Sequence, residues 1–371
     1  MRKNKMKVTT YLWEAAGSLL DPIVAIIIAL TLGAVVVSAL GNDVGLAYRA
    51  LFKGAFGNLR SLTETLLATT PLLLTGLAFG VAFRCGLFNI GIEGQLYIGS
   101  IVGAYVGFTF SGLPPLVLLP LTLAAGAAAG AAWGFLPGLL KAKVGAHEVI
   151  NTIMMNYIAI HLTSYLVGPD GPLRAPGELP ATPWIAEGAR LAKLVPGTRL
   201  NTGIFIALGA AVLVWVILWK SRQGYKIRAV GLNPLAAEYA GINVSRSIIT
   251  AMMLSGCLAG LAGIVEVAGL HYRFYDSFSP GYGFDAIAVS LLGANHPVGI
   301  ALAALLFGAL KTGAMSMQVL AGTNRELVRL LQSLVIFFVA AKWSVITILQ
   351  WKARKEGSID GRDHGSVKRA V

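Results

Sequence analysis

The sequence predicts an all-α polytopic membrane protein of about ten transmembrane helices. Three observations predict it: the composition, a series of long apolar runs, and the confinement of basic residues to the connections between those runs. Of the 371 residues, 56% are hydrophobic and only 13% charged, and the mean hydropathy is +0.71. A water-soluble domain cannot cover that much apolar surface. The net charge of +13 would suggest nucleic acid as the partner of a soluble chain. Here the Lys and Arg residues lie in short polar connections, which is a topology signal, so the partner is lipid and no nucleic acid is expected. Cys85 and Cys257 stand alone, without a C-x-x-C, so neither a disulfide framework nor a structural zinc site is expected.

Taken in order, the expected spans are 22–40, 62–83, 90–110, 116–140, 149–167, 203–219, 248–270, 284–294, 298–317 and 327–348. The first follows Arg2, Lys3, Lys5 and Lys7 and alone would pass for a signal peptide. The nine later runs make it a retained helix. At 1.5 Å per residue, every run but 284–294 is long enough to cross a hydrocarbon core. With ten crossings, Lys and Arg favour one side nearly two to one, through the N-terminus, the connection 220–247 and the basic end of the chain. That side is read as cytoplasmic, and both termini with it. A re-entrant 284–294 would put the basic tail outside, so this run is taken as a short crossing whose ends are surrounded by protein. Residues 1–350 thus form one transmembrane domain, and 351–371 a basic tail whose composition suggests disorder.

Two connections are long. The external one, 168–202, is rich in Pro and Gly and is long enough to make a docking surface. The cytoplasmic one, 220–247, contains a small helix marked at both ends: Asn233 as N-cap, Pro234 at the first helical position, then Leu235, Ala236, Ala237, Glu238, Tyr239 and Ala240, with Gly241 as terminator. Within the spans, glycines recur every fourth residue, at Gly99, Gly103 and Gly107 and at Gly126, Gly130, Gly134 and Gly138. Such small-residue faces let helix backbones approach closely. Pro71, Pro120 and Pro137 are expected to kink their spans.

Motifs for chemistry are few. His147-Glu148-Val149-Ile150-Asn151 places Asn where a zincin has its second His, and the remaining histidines have no ligand spacing. No Gly is followed by Lys, so the chain has no phosphate loop and any ATP is hydrolysed elsewhere. Polar residues inside the spans are the better lead: Asn89, Glu93, Gln95 and Tyr97 in the third, Asn151 and Asn156 in the fifth, Asp285 and Ser290 in the eighth. A buried carboxylate costs about 2.5 to 3.5 kcal/mol at mid-membrane, so Glu93 and Asp285 face either a water-filled path or a satisfied network. Asn89, Glu93, Tyr97 and Ser100 share one helical face. Both carboxylates open their segments, where a helix N-terminus favours negative charge. Glu93 is expected at the cytoplasmic side and Asp285 at the external side, as inverted repeats of spans two to five and seven to ten would place them.

The runs P-L-L-L-T-G-L-A-F-G-V-A-F-R-C-G-L-F-N-I-G-I-E-G-Q (71–95), H-E-V-I-N-T-I-M-M-N-Y-I-A (147–159), G-L-N-P-L-A-A-E-Y-A-G-I (231–242), S-G-C-L-A-G-L-A-G (255–263) and G-Y-G-F-D-A-I-A-V-S-L-L-G (281–293) together resemble permease subunits of bacterial ABC importers for nucleosides. These belong to a group that includes ribose and branched-chain amino acid permeases. The resemblance covers most of the chain from the second span onward. It implies a permease without enzymatic activity or a cofactor of its own, with ATP and Mg used by a partner. The implied partners are an ATP-binding subunit, a second permease chain and an external substrate-binding lipoprotein. Ala236, Ala237 and Gly241 match the coupling-helix signature by which such permeases dock on the ATPase, with Leu235 where that signature often has Glu. The implied mechanism is alternating access for a nucleoside. A ribose-type sugar permease, an ATP-independent secondary transporter and a membrane-embedded enzyme are the alternatives.

Overall fold

The computed structural model describes residues 27–28, 30–39, 41–177, 179–322, 330 and 333–334. The basic N-terminus, nearly all of the expected tenth span and the tail lie outside the described residues. Of the expected first span, the described part includes the helix α1 (Leu30–Ala39). Residues Gly45–Gly322 form one compact unit. Among its described residues there is no strand, only two isolated β-bridges, Ala181 with Tyr275 and Lys193 with Asn201.

Helix α2 (Val44–Phe56) lies in what the apolar runs alone mark as a connection. It is amphipathic, with Ala47, Ala50, Gly54 and Ala55 inward and Leu46 and Phe52 exposed. Helix α3 (Leu59–Phe83) is capped by Asn58, whose side chain accepts from the Ser61 amide at 2.8 Å. Then come α4 (Ile92–Thr109), α5 (Pro115–Val144), α6 (Glu148–Val167) and α7 (Gly203–Lys220). Helices α3 and α5 continue through Pro71, Pro120 and Pro137. The connection after α7 holds two helices, where the sequence marks one: α8 (Arg222–Leu232) precedes α9 (Pro234–Tyr239). Helix α10 (Val244–Glu266) is prolonged by a π turn, Val267–His271, and followed by α11 (Tyr282–Leu292) and α12 (Pro297–Ala321). Among the described residues, five elements are long and apolar enough to cross a membrane: α3, α5, α7, α10 with its π turn, and α12. Helices α4 and α6, of 18 and 20 residues, have the length of a crossing but carry polar side chains in their first turns.

The core of the unit is a seam of α4, α5 and α10. A side-chain carbon at Gly99 would meet the Gly260 backbone and the Gly126 carbonyl. One at Gly130 would meet the Gly256 carbonyl and the Gly260 backbone. The three backbones are thus in direct contact, which only glycine permits. The connection 168–202 is built into the unit. Amides of Thr182 and Ile185 donate to the carbonyls of Phe274 and Tyr272 at 2.9 Å each, and the Leu191 amide donates to Ala268 at 2.9 Å. Ala181, Ile185, Ala189 and Leu191 are buried beneath this cover.

Candidate polar junction inside the bundle

Helix α4 does not begin at the end of the bundle. After α3, the chain turns back beside it, packing Phe88 on Phe79 with ring centroids 5.0 Å apart. Asn89 Nδ2 donates to Ser255 Oγ at 2.8 Å, and that hydroxyl donates to the Ala78 carbonyl at 2.6 Å. Asn89 is therefore level with Ala78, six residues before Arg84, which is about 9 Å inside the end of α3. Asn89 precedes the helix and does not share a face with Glu93, Tyr97 and Ser100. Its partner is Gln95, whose Oε1 accepts from Asn89 Nδ2 at 3.0 Å. Helix α6 secures the other side. Asn156 Oδ1 accepts from the Gly94 amide at 2.7 Å, its Nδ2 donates to the Ile90 carbonyl at 2.7 Å, and Thr152 Oγ1 accepts from the Ile90 amide at 3.3 Å. A helix start inside an apolar bundle has no water for its free backbone groups, and these amides and hydroxyls replace it.

The first turn of α4 meets the first turn of α11. The Gly283 amide donates to Glu93 Oε2 at 2.6 Å, and a side chain at Gly283 would strike the Glu93 backbone. This corrects the expectation that Glu93 and Asp285 begin their helices at opposite faces of the membrane. Both helix starts lie at one depth, because the Gly283 amide bonds the Glu93 carboxylate and its Cα leaves no room for a side chain against the Glu93 backbone. The carboxylate, 3% exposed as a residue, sits where two positive helix ends converge. The chain reaches α11 from the π turn through residues 272–281, which bury Phe274 and Phe278 and leave Ser277 and Pro280 exposed.

Beside this contact lies a charged cluster. Lys311 Nζ of α12 donates to Asp285 Oδ2 at 2.8 Å and sits 4.3 Å from the centre of the Tyr282 ring. The Tyr282 hydroxyl donates to Glu266 Oε1 at 3.2 Å. Asp285 and Lys311 side chains keep 27% and 25% of their exposure. Tyr97 packs edge-on against Phe274 and tilted against Phe278. Ser290 donates to Asn295 Oδ1 at 2.9 Å. Asn151 lies apart from the junction, with its Nδ2 buried and without a hydrogen-bond partner. The structure thus brings Asn89, Glu93, Gln95, Asn156 and Asp285 to one junction, with Tyr97 on its aromatic flank, and leaves Asn151 and Ser290 outside it. Glu266, Tyr282 and Lys311 are the members that sequence reasoning missed. The signal was present, since Glu266 and Lys311 are charges inside apolar runs, but nothing in the sequence pairs them.

The connection 220–247 has the form its sequence marks. Asn233 Oδ1 accepts from the Ala236 amide at 3.1 Å, Pro234 opens α9, and Gly241 (φ 77°) follows it with its amide donating to Glu238 at 2.9 Å. Leu235 and Tyr239 are 69% and 94% exposed.

These features define a class: a multi-pass membrane protein whose short helices meet at an internal polar junction and which presents a capped, exposed helix at one end. The chain matches the family described as branched-chain amino acid transport system / permease component over residues 61–340, and it belongs to that family of permeases. It is 44% identical to the guanosine ABC transporter permease protein NupP of Bacillus subtilis, over 92% of this chain and 98% of that protein. It is 39% identical to the nucleoside ABC transporter permease protein NupB of Lactococcus lactis, over 90% and 94%. It is also 37% identical to the glucose ABC transporter permease protein TsgB13 of Haloferax volcanii, over 88% and 87%. No solved structure matches the chain. The chain is a permease component and not an enzyme.

Proposed function

We propose that this chain is the transmembrane subunit of an ABC importer that moves nucleosides across the cytoplasmic membrane by alternating access. The observation that carries the reading is the 44% identity to a guanosine permease along 92% of the chain, and α9 supplies the geometry for it. That helix is capped at both ends yet leaves Leu235 and Tyr239 in the open, as a docking element for another protein requires. In this reading α9 seats on an ATP-binding subunit, which uses ATP and Mg. A second permease subunit completes a heterodimer, and an extracellular lipoprotein delivers substrate to the face covered by residues 168–202. The topology is ten spans with both termini cytoplasmic.

The path runs along the junction of α4, α11 and α12. Asp285 and Lys311, which keep some exposure, line it. Glu93, Asn89, Gln95 and Asn156 shape it by holding the start of α4, and Tyr97, Asn151 and Ser290 flank it. Nucleosides are neutral and rich in hydroxyls, which suits a path of amides, hydroxyls and one neutralised ion pair. A sugar permease is the second reading, favoured by the 37% identity to a glucose permease.

The test is co-purification of the chain with its partners, followed by ligand screening of the lipoprotein among them. An ATPase is expected in the complex and a nucleoside on the lipoprotein. Uptake driven by an ion gradient without an ATPase overturns the proposal. Gly241→Pro removes the amide that donates to Glu238 and forbids the positive φ. The variant is expected to insert normally but to lose ATPase association and uptake by more than tenfold.

A further inference from the structure

The structure also points to how a movement of α9 would reach the polar junction. Gly231, two residues before the Asn233 cap, lies with its backbone against the α3 terminus. A side-chain carbon there would strike the Arg84 carbonyl and the Cys85 backbone, and one at Gly86 would lie 3.4 Å from the Gly231 Cα. No flexible side chain separates α8 from this turn, so a displacement of the α8–α9 connection is passed on at backbone contact.

Arg84 then spans to a third segment. Its Nε donates to the Asn295 carbonyl at 2.9 Å and a terminal nitrogen donates to the Ala294 carbonyl at 3.0 Å. Ala294 and Asn295 both stand at φ 52°, a left-handed conformation that is strained for a non-glycine residue. The turn they form closes α11 and is further held by Ser290, which donates to Asn295 Oδ1. Trp219 at the end of α7 buttresses the clamp. Arg84 and Arg228 lie 5.3 Å and 5.8 Å from its ring centre, and the His296 ring packs edge-on at 4.8 Å. His296 lies outside the spans. Burial first, then the Arg84 charge, hold it below its ordinary pKa. From this turn α11 runs 11 residues, about 16 Å, to Gly283 and the Glu93 carboxylate.

We infer that Arg84 is a positioning residue for transport: it clamps the terminus of α3, against which the α9 connection rests, to the turn that ends α11, so that a shift at α9 moves the α11–α4 contact. This rests on the reading of α9 as the ATPase-docking helix. The test uses the complete transporter with its ATPase and lipoprotein, reconstituted in vesicles. It measures subunit stoichiometry, ATP hydrolysis, and nucleoside taken up per ATP. Arg84→Gln is expected to keep the ATPase bound and hydrolysing while uptake per ATP falls at least tenfold, and Arg84→Lys to fall less. Because Arg84 also supports a strained turn, Arg84→Gln is repeated with Ala294→Gly and Asn295→Gly, which adopt positive φ freely. The triple variant is expected to assemble and to remain uncoupled. Recovery of the wild-type ratio in the triple variant reduces Arg84 to a support for the turn and overturns the inference. So does an Arg84→Gln variant whose ratio is unchanged. A wild-type complex that contains no ATPase overturns the functional reading, and this inference with it.

Discussion

Helix α4 has two sides of opposite construction. Along its length, Gly99 presses backbone on backbone against α5 and α10. At its start, Glu93, Asn89 and Gln95 form a polar junction in which nearly every contact is a directed hydrogen bond. The seam tolerates no added atom, since its neighbours are main chain and cannot turn away. The junction tolerates a change of charge better than a loss of a partner, since its stability lies in matched donors and acceptors. Rigid glycine packing on one side therefore contrasts with a polar side held by directed bonds, along which the proposed path runs.

That contrast is open to test. The largest effect is expected from Gly130→Val, which drives a branched side chain into Gly256 and Gly260. A loss of more than about 4 kcal/mol should leave no folded protein, seen as the absence of a monodisperse peak after solubilisation. Lys311→Met comes next. It strands Asp285 beside Tyr282, and because a quarter of the pair is exposed the cost is set below that of a fully buried pair, at about 1 to 3 kcal/mol. Adding Asp285→Leu should recover most of the stability while uptake stays low, measured by thermal unfolding and transport on the same samples. Uptake restored together with stability would remove the pair from the path. Glu93→Gln should have the smallest effect, because the amide oxygen still accepts from Gly283. It is expected to lower stability by about 1 kcal/mol, through lost attraction to two helix ends, and to preserve uptake. A variant as stable as wild type but silent in transport would place the carboxylate on the path itself.

Much of the bundle was legible in the sequence. The apolar runs between residues 59 and 321 all recur as helices, with ends displaced by a few residues, because length and hydropathy are local properties. Helix α9 was legible to the residue: Asn233, Pro234 and Gly241 act on the backbone next to them and need no distant partner. Helices α2 and α8 escaped because both are amphipathic and short, and their apolar faces acquire meaning only against the bundle. The connection 168–202 carries turn residues throughout, and its order comes from amides paired with Phe274, Tyr272 and Ala268 far along the chain.

Sequence alone determined the class of this protein, its glycine faces, the capped helix α9 and the list of polar residues that apolar spans carry at a cost. Only tertiary structure decided where those residues meet. Glu93 and Gly283 lie 190 positions apart, Asp285 and Lys311 lie 26 apart, and Arg84 finds Asn295 across 211. Hydropathy and helix signals depend on neighbouring residues, whereas the depth at which α4 starts depends on an amide of α11 and an asparagine of α6 arriving there. No local pattern encodes that meeting, which follows from the way glycine-faced helices can pack.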